Sequence, residues 1–521
     1  MTAVALAGCS WIDPLQVVCA TTSDCVDGYV CSSAIPTDLG TCVERAGGGG
    51  DDDDDVLPET GPVSGLDLVG LSVNQGVEIR LLDGTDWIDN RNSDVVAGRP
   101  GLLRVYVEPQ DVWEPRSVRA VLDFDDGRSF TVDEAVSNDP SEDTRIGSTI
   151  NFDLAGEEFV QDVGFSVRLL EVEYDTDEDG SPLPYEGTRE ATRWPRDAGE
   201  FADLGAGRSG VLDLRLVPVR YNADGSGRVP DTSDAAVEII RAQMMKMYPT
   251  QEVRVTLESP MDWGNTVSPN GAGWSELLQQ IFYLRQQRSM PGSSYTYGLF
   301  APAVDRWAFC GGGCVAGLSI AVLSANDSDS RVSIGLGYGD VSTAETMAHE
   351  VGHAHGRSHG PCSDFGNINN VDPNFPYQNA RLGVVGYDIL DGDVKEPNNY
   401  ADLMAYCDPI WVSDYTWNGF MDRIRAVGPQ EQFVGDPQVQ EVLTVLVGPE
   451  GLSNPLRSRA PARFARGEHP VTARGVDGDT ISVDGARFLP FDHVDGGLLV
   501  FPAPPDGAKS VEVEGFGTLS L

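Results

Sequence analysis

Between Leu66 and Val172 apolar residues recur at every second position or in short runs, broken by Gly, Asp, Asn and Pro. The segments LDLVGLSVNQGVEIRLL, LLRVYVEP, VRAVLDF, STINFDL and VGFSVRLLEVEY carry the pattern. Period two puts one side of an extended chain against a core and the other toward water. Asp125 to Arg128, DDGR, has the composition of a hairpin turn. Several short strands at this spacing predict an antiparallel, sandwich-like β domain over residues 65–209.

From residue 210 the period alternates. VLDLRLVPVRY, QEVRVTLE, YTYGLFAPA and CVAGLSIAVLS read as strands. PDTSDAAVEIIRAQMMKMYP holds a helix, with Ser233 as N-cap candidate and Pro249 beyond its end. GWSELLQQIFYLRQQRS is a second amphipathic helix, and TAETMAHEVGHAHG is a third, ended by Gly356. This mixture predicts an α/β domain over residues 210–427. VLTVLVGPEG, TISVDG, GGLLVFPAP and KSVEVEGFGTLSL then predict a C-terminal β domain over 428–521. The expected fold class is a multidomain α/β plus β protein, with a central α/β domain flanked by sandwich-like β domains.

Composition adds limits. A chain of 521 residues is too long for one core. No run of eighteen apolar residues exists, so no helix is expected to span a membrane. The formal charge is −45, and only Lys246, Lys395 and Lys509 of the 36 basic residues are lysine. Such acidity argues against nucleic-acid partners, whose phosphates it would repel.

Nine cysteines are present. Cys19, Cys25, Cys31 and Cys42 fall among turn-forming residues, which predicts a small disulfide-rich module over residues 10–46. A Gly/Asp linker follows over 47–64, with GGGGDDDDD at its start. Cys9 closes LAGC, which resembles a bacterial lipobox, so residues 1–9 are read as a truncated lipoprotein signal with Cys9 as the lipidated residue. The eight remaining cysteines can then pair in an oxidising compartment. That resemblance implies an extracytoplasmic protein, anchored by lipid at the bacterial outer membrane or cell surface, where Ser10 after Cys9 favours the outer membrane. Secretion is the alternative. Membrane contact is expected only through such an anchor.

The stretch HEVGHAHGRSHG, residues 349–360, contains four of the six histidines. His349 and His353 are one helical turn apart and share a face. Glu350 is turned about a quarter-turn away, within reach of a metal-bound water without ligating the metal. Gly356 can take a positive φ, leave the helix sharply and bring His359 round to a third position. Three imidazoles leave a fourth position open, which suits one catalytic Zn²⁺. Glu350 is then the expected general base for water attack on a peptide carbonyl. His355, two past His353, points to nearly the opposite side and reads as a packing histidine.

The spacing H-E-x-x-H-x-x-G-x-x-H resembles the signature of the metzincin clan of zinc endopeptidases. The resemblance covers about residues 210–427 and is specific only around 345–420. It implies a methionine turn beneath the zinc, for which Met404 in DLMAYC is the candidate. It also implies that Tyr406 ligates zinc and swings to stabilise the tetrahedral intermediate, where packing is the alternative. Cys362 and Cys407 are placed to tie the segment after the third ligand to that turn, and Cys310 and Cys314 to pair locally. Exchange of partners among these four is the alternative. Gly360, after the third ligand, departs from the best-known branches. HEVGH with a turn ending Tyr-Cys looks most like bacterial secreted or lipoprotein metzincins, including those that cut mucin-type glycoproteins. CVAGLSIAVLS is a candidate edge strand for an extended peptide substrate.

A second metal candidate is DTDEDGSPLPYE, in which Asp175, Asp177, Asp179 and Glu186 match the spacing of a calcium loop. Pro182 and Pro184 inside it, and strands before it, favour an ordinary acidic loop. The expected function is zinc-dependent endopeptidase action on extracellular proteins or glycoproteins. The alternative is a surface-anchored protein- or glycan-binding module on a catalytically vestigial fold; retention of Glu350 favours the enzyme.

Overall fold

The computed structural model describes residues 61–172, 185–322, 324–363, 369–428, 439–461 and 467–521, with short strands at Val18–Cys19, Tyr29–Cys31, Gly40–Glu44, Asp175–Thr176 and Pro182–Leu183. The readings of Cys9 and of the linker's start, and of Asp177 and Asp179, lie outside the described residues. So do the side chains of the N-terminal module. Residues 61–521 form one compact unit, separate from residues 1–60. Among the described residues no helix is long and apolar enough to cross a membrane.

The first layer pair is all antiparallel. One sheet contains β1 (Leu66–Asn74), β2 (Glu78–Asp83), β3 (Gly101–Pro109) and β6 (Ile150–Leu154), in the order β6-β3-β1-β2. The other contains β4 (Arg116–Phe124), β5 (Ser129–Val136) and β7 (Gly164–Glu171), in the order β5-β4-β7. Along β4, Val118, Ala120, Leu122 and Phe124 are buried at period two, and the alternating pattern of the sequence comes from this pleat. Buried Arg99 ties this region to the next: it donates to the carbonyls of Met245, Tyr248 and Thr250, at and beyond the end of the helix Asp234–Met247. Those carbonyls lack helical partners.

The central sheet holds β8 (Val211–Tyr221), β9 (Glu252–Leu257), β10 (Met261–Trp263), β11 (Tyr295–Phe300), β12 (Gly317–Ser319) and β13 (Val332–Leu336). Its path is β9-β8-β11-β13-β12, with β10 also on β8. All pairings are parallel except β12 with β13, which is antiparallel and ends the sheet. The helices are α1 (Asp234–Met247), α2 (Trp274–Gln287), α3 (Arg306–Cys310), α4 (Val341–Ala354) and α5 (Asp414–Val427). Ser233 caps α1 as expected, accepting from the Ala236 N–H. The strand expected over CVAGLSIAVLS shrinks to three residues, because only Gly317–Ser319 pair in register with β13. α3 and α5 were not among the helices expected, although α5 carries Trp417, Phe420, Met421, Ile424 and Val427 at helical spacing and begins at a Ser413 cap that accepts from the Thr416 N–H.

The C-terminal sheet has seven antiparallel strands: β14 (Val439–Gly448), β15 (Gly451–Pro461), β16 (His469–Arg474), β17 (Thr480–Pro490), β18 (Gly497–Pro502), β19 (Ser510–Val513) and β20 (Gly517–Ser520). Its order is β15-β14-β18-β17-β16-β19-β20, and β15 also approaches β20, which curls the sheet toward a barrel. Val442, Leu446, Leu489, Phe491, Leu498 and Val500 belong to the same continuous core as the central sheet. Gln279 of α2 reinforces the junction, donating to Thr444 and Asn454 carbonyls. The C-terminal sheet is therefore packed against the α/β region by one face, and this carries the turn after β17 to the site below.

Candidate metal centre and catalytic site

Helix α4 positions the first three groups. Asp340 caps it by accepting from the Thr343 N–H at 2.8 Å. His355 is its C-terminal cap, and Gly356 follows at φ +86°. A Cβ at Gly356 would meet the Val322 carbonyl oxygen at 2.8 Å, so both conformation and space demand glycine. The reversed chain then places His359 against the helix.

The Nε2 atoms of His349 and His353 lie 3.1 Å apart, and those of His353 and His359 lie 3.0 Å apart. Each ring's other nitrogen faces a carbonyl: His349 Nδ1 to Leu403 at 2.8 Å, His353 Nδ1 to Arg357 at 2.7 Å, and His359 Nδ1 to Asn369 at 2.6 Å. A carbonyl only accepts, so each Nδ1 carries the proton and each Nε2 presents a lone pair. Three lone pairs at this separation repel unless a cation sits among them. Two ligands at about 2.0–2.1 Å in tetrahedral geometry would be about 3.3 Å apart, close to the observed spacing. The donor set therefore fits a divalent metal ion. Burial, with neighbouring imidazoles, keeps the three rings neutral: His349 is held well below the ordinary histidine value, His353 is lowered to about 4 and His359 to about 3. Neutral imidazole is the metal-binding form.

Glu350 is 1% exposed, and burial pushes its carboxyl well above the usual range, reinforced by Asp492. Its Oε1 faces His493 Nε2 at 2.8 Å, and its carboxyl also lies against that of Asp492. The Tyr406 hydroxyl lies 3.1 Å from His359 Nε2 and also contacts His493 Nδ1. Burial raises the Tyr406 pKa, so the hydroxyl stays protonated. A cavity of about 620 Å³ opens beside these groups, lined by His349, Glu350, Tyr406, His493, Gly317 and Val315. A larger one, about 1020 Å³, lies beside the end of α2 and holds none of the histidines.

Met404 lies beneath α4. It is 1% exposed, and a Cβ on Gly352 would come within 2.4 Å of its sulfur. The turn around Met404 is pinned by fully buried Asp402, whose carboxylate accepts from the N–H groups of Met404 (2.8 Å) and Ser413 (2.9 Å) and from Thr416 Oγ1 (2.9 Å). The pin holds the Leu403 carbonyl where His349 needs it. Cys362 pairs with Cys407 and Cys310 with Cys314. His355 turns away from the cluster into an aromatic nest, stacked on Tyr295 at 4.1 Å and edge-on to Tyr248. Its Nδ1 bonds back to the Val351 carbonyl.

Of the calcium candidates, Asp177 and Asp179 lie outside the described residues. Asp175–Thr176 pairs antiparallel with Pro182–Leu183, two short strands where a calcium loop of that type would have flanking helices. Glu186 is exposed beyond them.

Three residues went unread in the sequence. Asp402 lies inside the DLMAYC turn, and nothing local marks it as the pin. Asp492 and His493 belong to the turn after β17, more than a hundred residues beyond the histidine motif. Asp492 Oδ2 lies 3.2 Å from His353 Nε2 and 3.0 Å from His493 Nε2. Burial works against charge on Asp492, yet the His493 and His353 imidazoles hold its carboxyl below the usual value. Burial likewise opposes protonation of His493, but Asp492 and Glu350 outweigh it and raise the ring to about 9. The scarcity of histidine was the only available signal.

No family model and no curated protein sequence matches the chain. Among solved structures, one of a chaperone–substrate complex is 13% identical, with TM-score 0.24, covering 47% of this chain and 40% of that one. Metalloproteinase-II from Bacteroides fragilis is 12% identical, with TM-score 0.24, covering 67% of this chain and 87% of that one. Likenesses this distant carry no argument about fold or activity; the case for the site rests on its own geometry.

Proposed function

We propose that the protein is a zinc-dependent endopeptidase of metzincin type. The observation that carries the reading is the convergence of three proton-free Nε2 atoms beside a buried carboxylate at the mouth of one cavity. His349, His353 and His359 would hold the ion. When bound, zinc supplies Lewis acidity and lowers the pKa of water to about 7.

The chain's own groups supply the remainder. Glu350, enclosed and with its basicity raised by burial, takes a proton from the attacking water and delivers it to the leaving amine. Tyr406, kept protonated, donates a hydrogen bond to the carbonyl oxygen as charge develops there. Asp402 and Met404 position the ligands from below, and the Cys362–Cys407 bridge fixes the loop that joins the third ligand to that turn. Strand β12 runs past Glu350, and its outer edge, once clear of residues 490–492, would offer backbone groups to an extended peptide. Extracellular proteins or glycoproteins are the proposed substrates, and a lipid anchor at Cys9 the proposed means of surface retention.

Zinc-loaded wild type and Glu350→Ala are to be compared on a panel of peptides and glycoproteins. The reading expects cleavage by the wild type, lost by at least a hundredfold in the variant with zinc content unchanged. Equal cleavage by both proteins refutes the role of Glu350. Zinc binding without cleavage by any form of the chain supports the binding-module alternative.

A further inference from the structure

One of the two histidines outside the motif, His493, lies among the proposed site groups. His493 lies in the turn after β17, its side chain 13% exposed. Its ring is stacked 5.5 Å from His349 and 5.0 Å from His359. Single donor atoms of His349, His353, His359 and His493 all fall within 4.8 Å of one another. The ring also touches both groups to which the proposed reaction assigns proton work, Glu350 through Nε2 and Tyr406 through Nδ1.

The approach of the backbone is equally specific. β13 occupies one side of β12, and the chain just before His493 runs along the other. Ala321 N–H donates to the Pro490 carbonyl at 2.9 Å, and Ile320 bridges Phe491 in antiparallel fashion. Asp492 N–H donates to the Ser319 carbonyl at 3.3 Å, while Ser319 N–H donates to Asp492 Oδ1 at 2.9 Å. This is backbone addition to a sheet edge, the mode by which an extended peptide would bind there. Phe491, 6% exposed, anchors the segment in the shared core.

We propose that His493 is a fourth protein ligand to the metal held by His349, His353 and His359, and that segment 490–493 thereby closes the site from within the same chain. On binding the ion, His493 releases to solvent the proton that Asp492 and Glu350 favour on its ring in the metal-free chain. Four protein ligands leave a tetrahedral ion no position for water, the arrangement of a closed rather than a catalytic centre. The chain as folded is then a largely blocked form whose residual cleavage comes from molecules in which the turn is displaced, since that displacement opens both the edge strand and the fourth coordination position. The blocking role rests on the endopeptidase reading; the ligand assignment does not.

The test uses full-length chain loaded with Co²⁺ or Zn²⁺, as wild type, His493→Ala and the bulkier His493→Gln. The visible Co²⁺ spectrum, zinc affinity by competition with a chelator, and the spectral response to acetohydroxamate are measured, with thermal midpoints confirming folding. Loss of His493 is expected to change the Co²⁺ spectrum, weaken zinc binding at least tenfold and let acetohydroxamate bind where the wild type resists it. Identical spectra, affinities and hydroxamate responses in wild type and a folded variant overturn the proposal. Peptidase assays then separate the two readings. A tenfold or greater gain of Glu350-dependent cleavage in the variants supports self-blocking, and a loss of cleavage overturns it. If no form cleaves while the spectra differ, the endopeptidase reading fails and His493 stands as a ligand.

Discussion

Gly352 sits in the last turn of α4, where helix propensity alone says that alanine should stabilise by up to about 1 kcal/mol. The packing predicts the opposite sign. A Cβ there would lie 2.4 Å from Met404 Sδ, 3.1 Å from its Cε and 3.3 Å from Phe420 Cζ. Ordinary contacts need roughly 3.5–4.0 Å, so the sulfur must retreat by more than about 1 Å. Met404 is 1% and Phe420 0% exposed, so little free space receives it. Overpacking of this kind costs about 1–3 kcal/mol, and the upper end applies because the obstruction is enclosed. Net of the propensity gain, Gly352→Ala should destabilise the chain by about 1–2 kcal/mol. Met404→Ala removes the obstruction, so Gly352→Ala made in that background should recover the gain of about 1 kcal/mol. The coupling energy is then about 2–3 kcal/mol. Urea unfolding of the four metal-free proteins, wild type, both singles and the double, measures it. If Gly352→Ala shifts stability equally in both backgrounds, Met404 is not the floor that requires glycine in this helix.

Other outcomes follow from the same packing. Asp402→Ala leaves two backbone N–H groups and one hydroxyl without their buried acceptor, and should cost about 3–5 kcal/mol and weaken zinc binding through the Leu403 carbonyl; unchanged zinc affinity would refute its positioning role. His355→Ala should keep zinc stoichiometry and affinity while losing about 2–3 kcal/mol of stability, since the ring packs on Tyr295 away from the ligands; lost metal in a folded variant would sink that assignment. Replacing both Cys362 and Cys407 by serine opens a loop of 45 residues and should lower stability by about 4 kcal/mol in the chain-entropy account, read from urea midpoints. For the metal-free chain, His353 at about 4 and His359 at about 3 bind protons less readily than in the unfolded state, where the value is about 6.5. Their stability contribution is therefore full above pH 6.5 and lost as pH falls, about 2 kcal/mol for each ring between pH 7 and pH 5. A flat profile over that interval would contradict the buried, neutral cluster.

The motif was legible because its chemistry is local. His349, Glu350 and His353 are related by helical period and His359 by a glycine turn, so short-range backbone geometry alone brings three imidazoles together. The same locality made His355 readable as the residue that faces away. Strand signals were legible where one face is wet, as along β4, and failed where pairing is brief, as in β12; the apolar residues of α5 stand at helical spacing and went unread. What only the tertiary structure decided is the company these residues keep. Asp402 pins the methionine turn because the start of α5 folds back onto it, and Cys362 and Cys407, 45 residues apart, meet only in the folded chain. Asp492 and His493 reach the histidine cluster because a separate sheet buries one of its faces against the central one. That contact arises from burial of apolar surface between distant segments, and hydrophobic burial is non-directional: a sequence pattern announces which face must be covered, not which part of the chain will cover it.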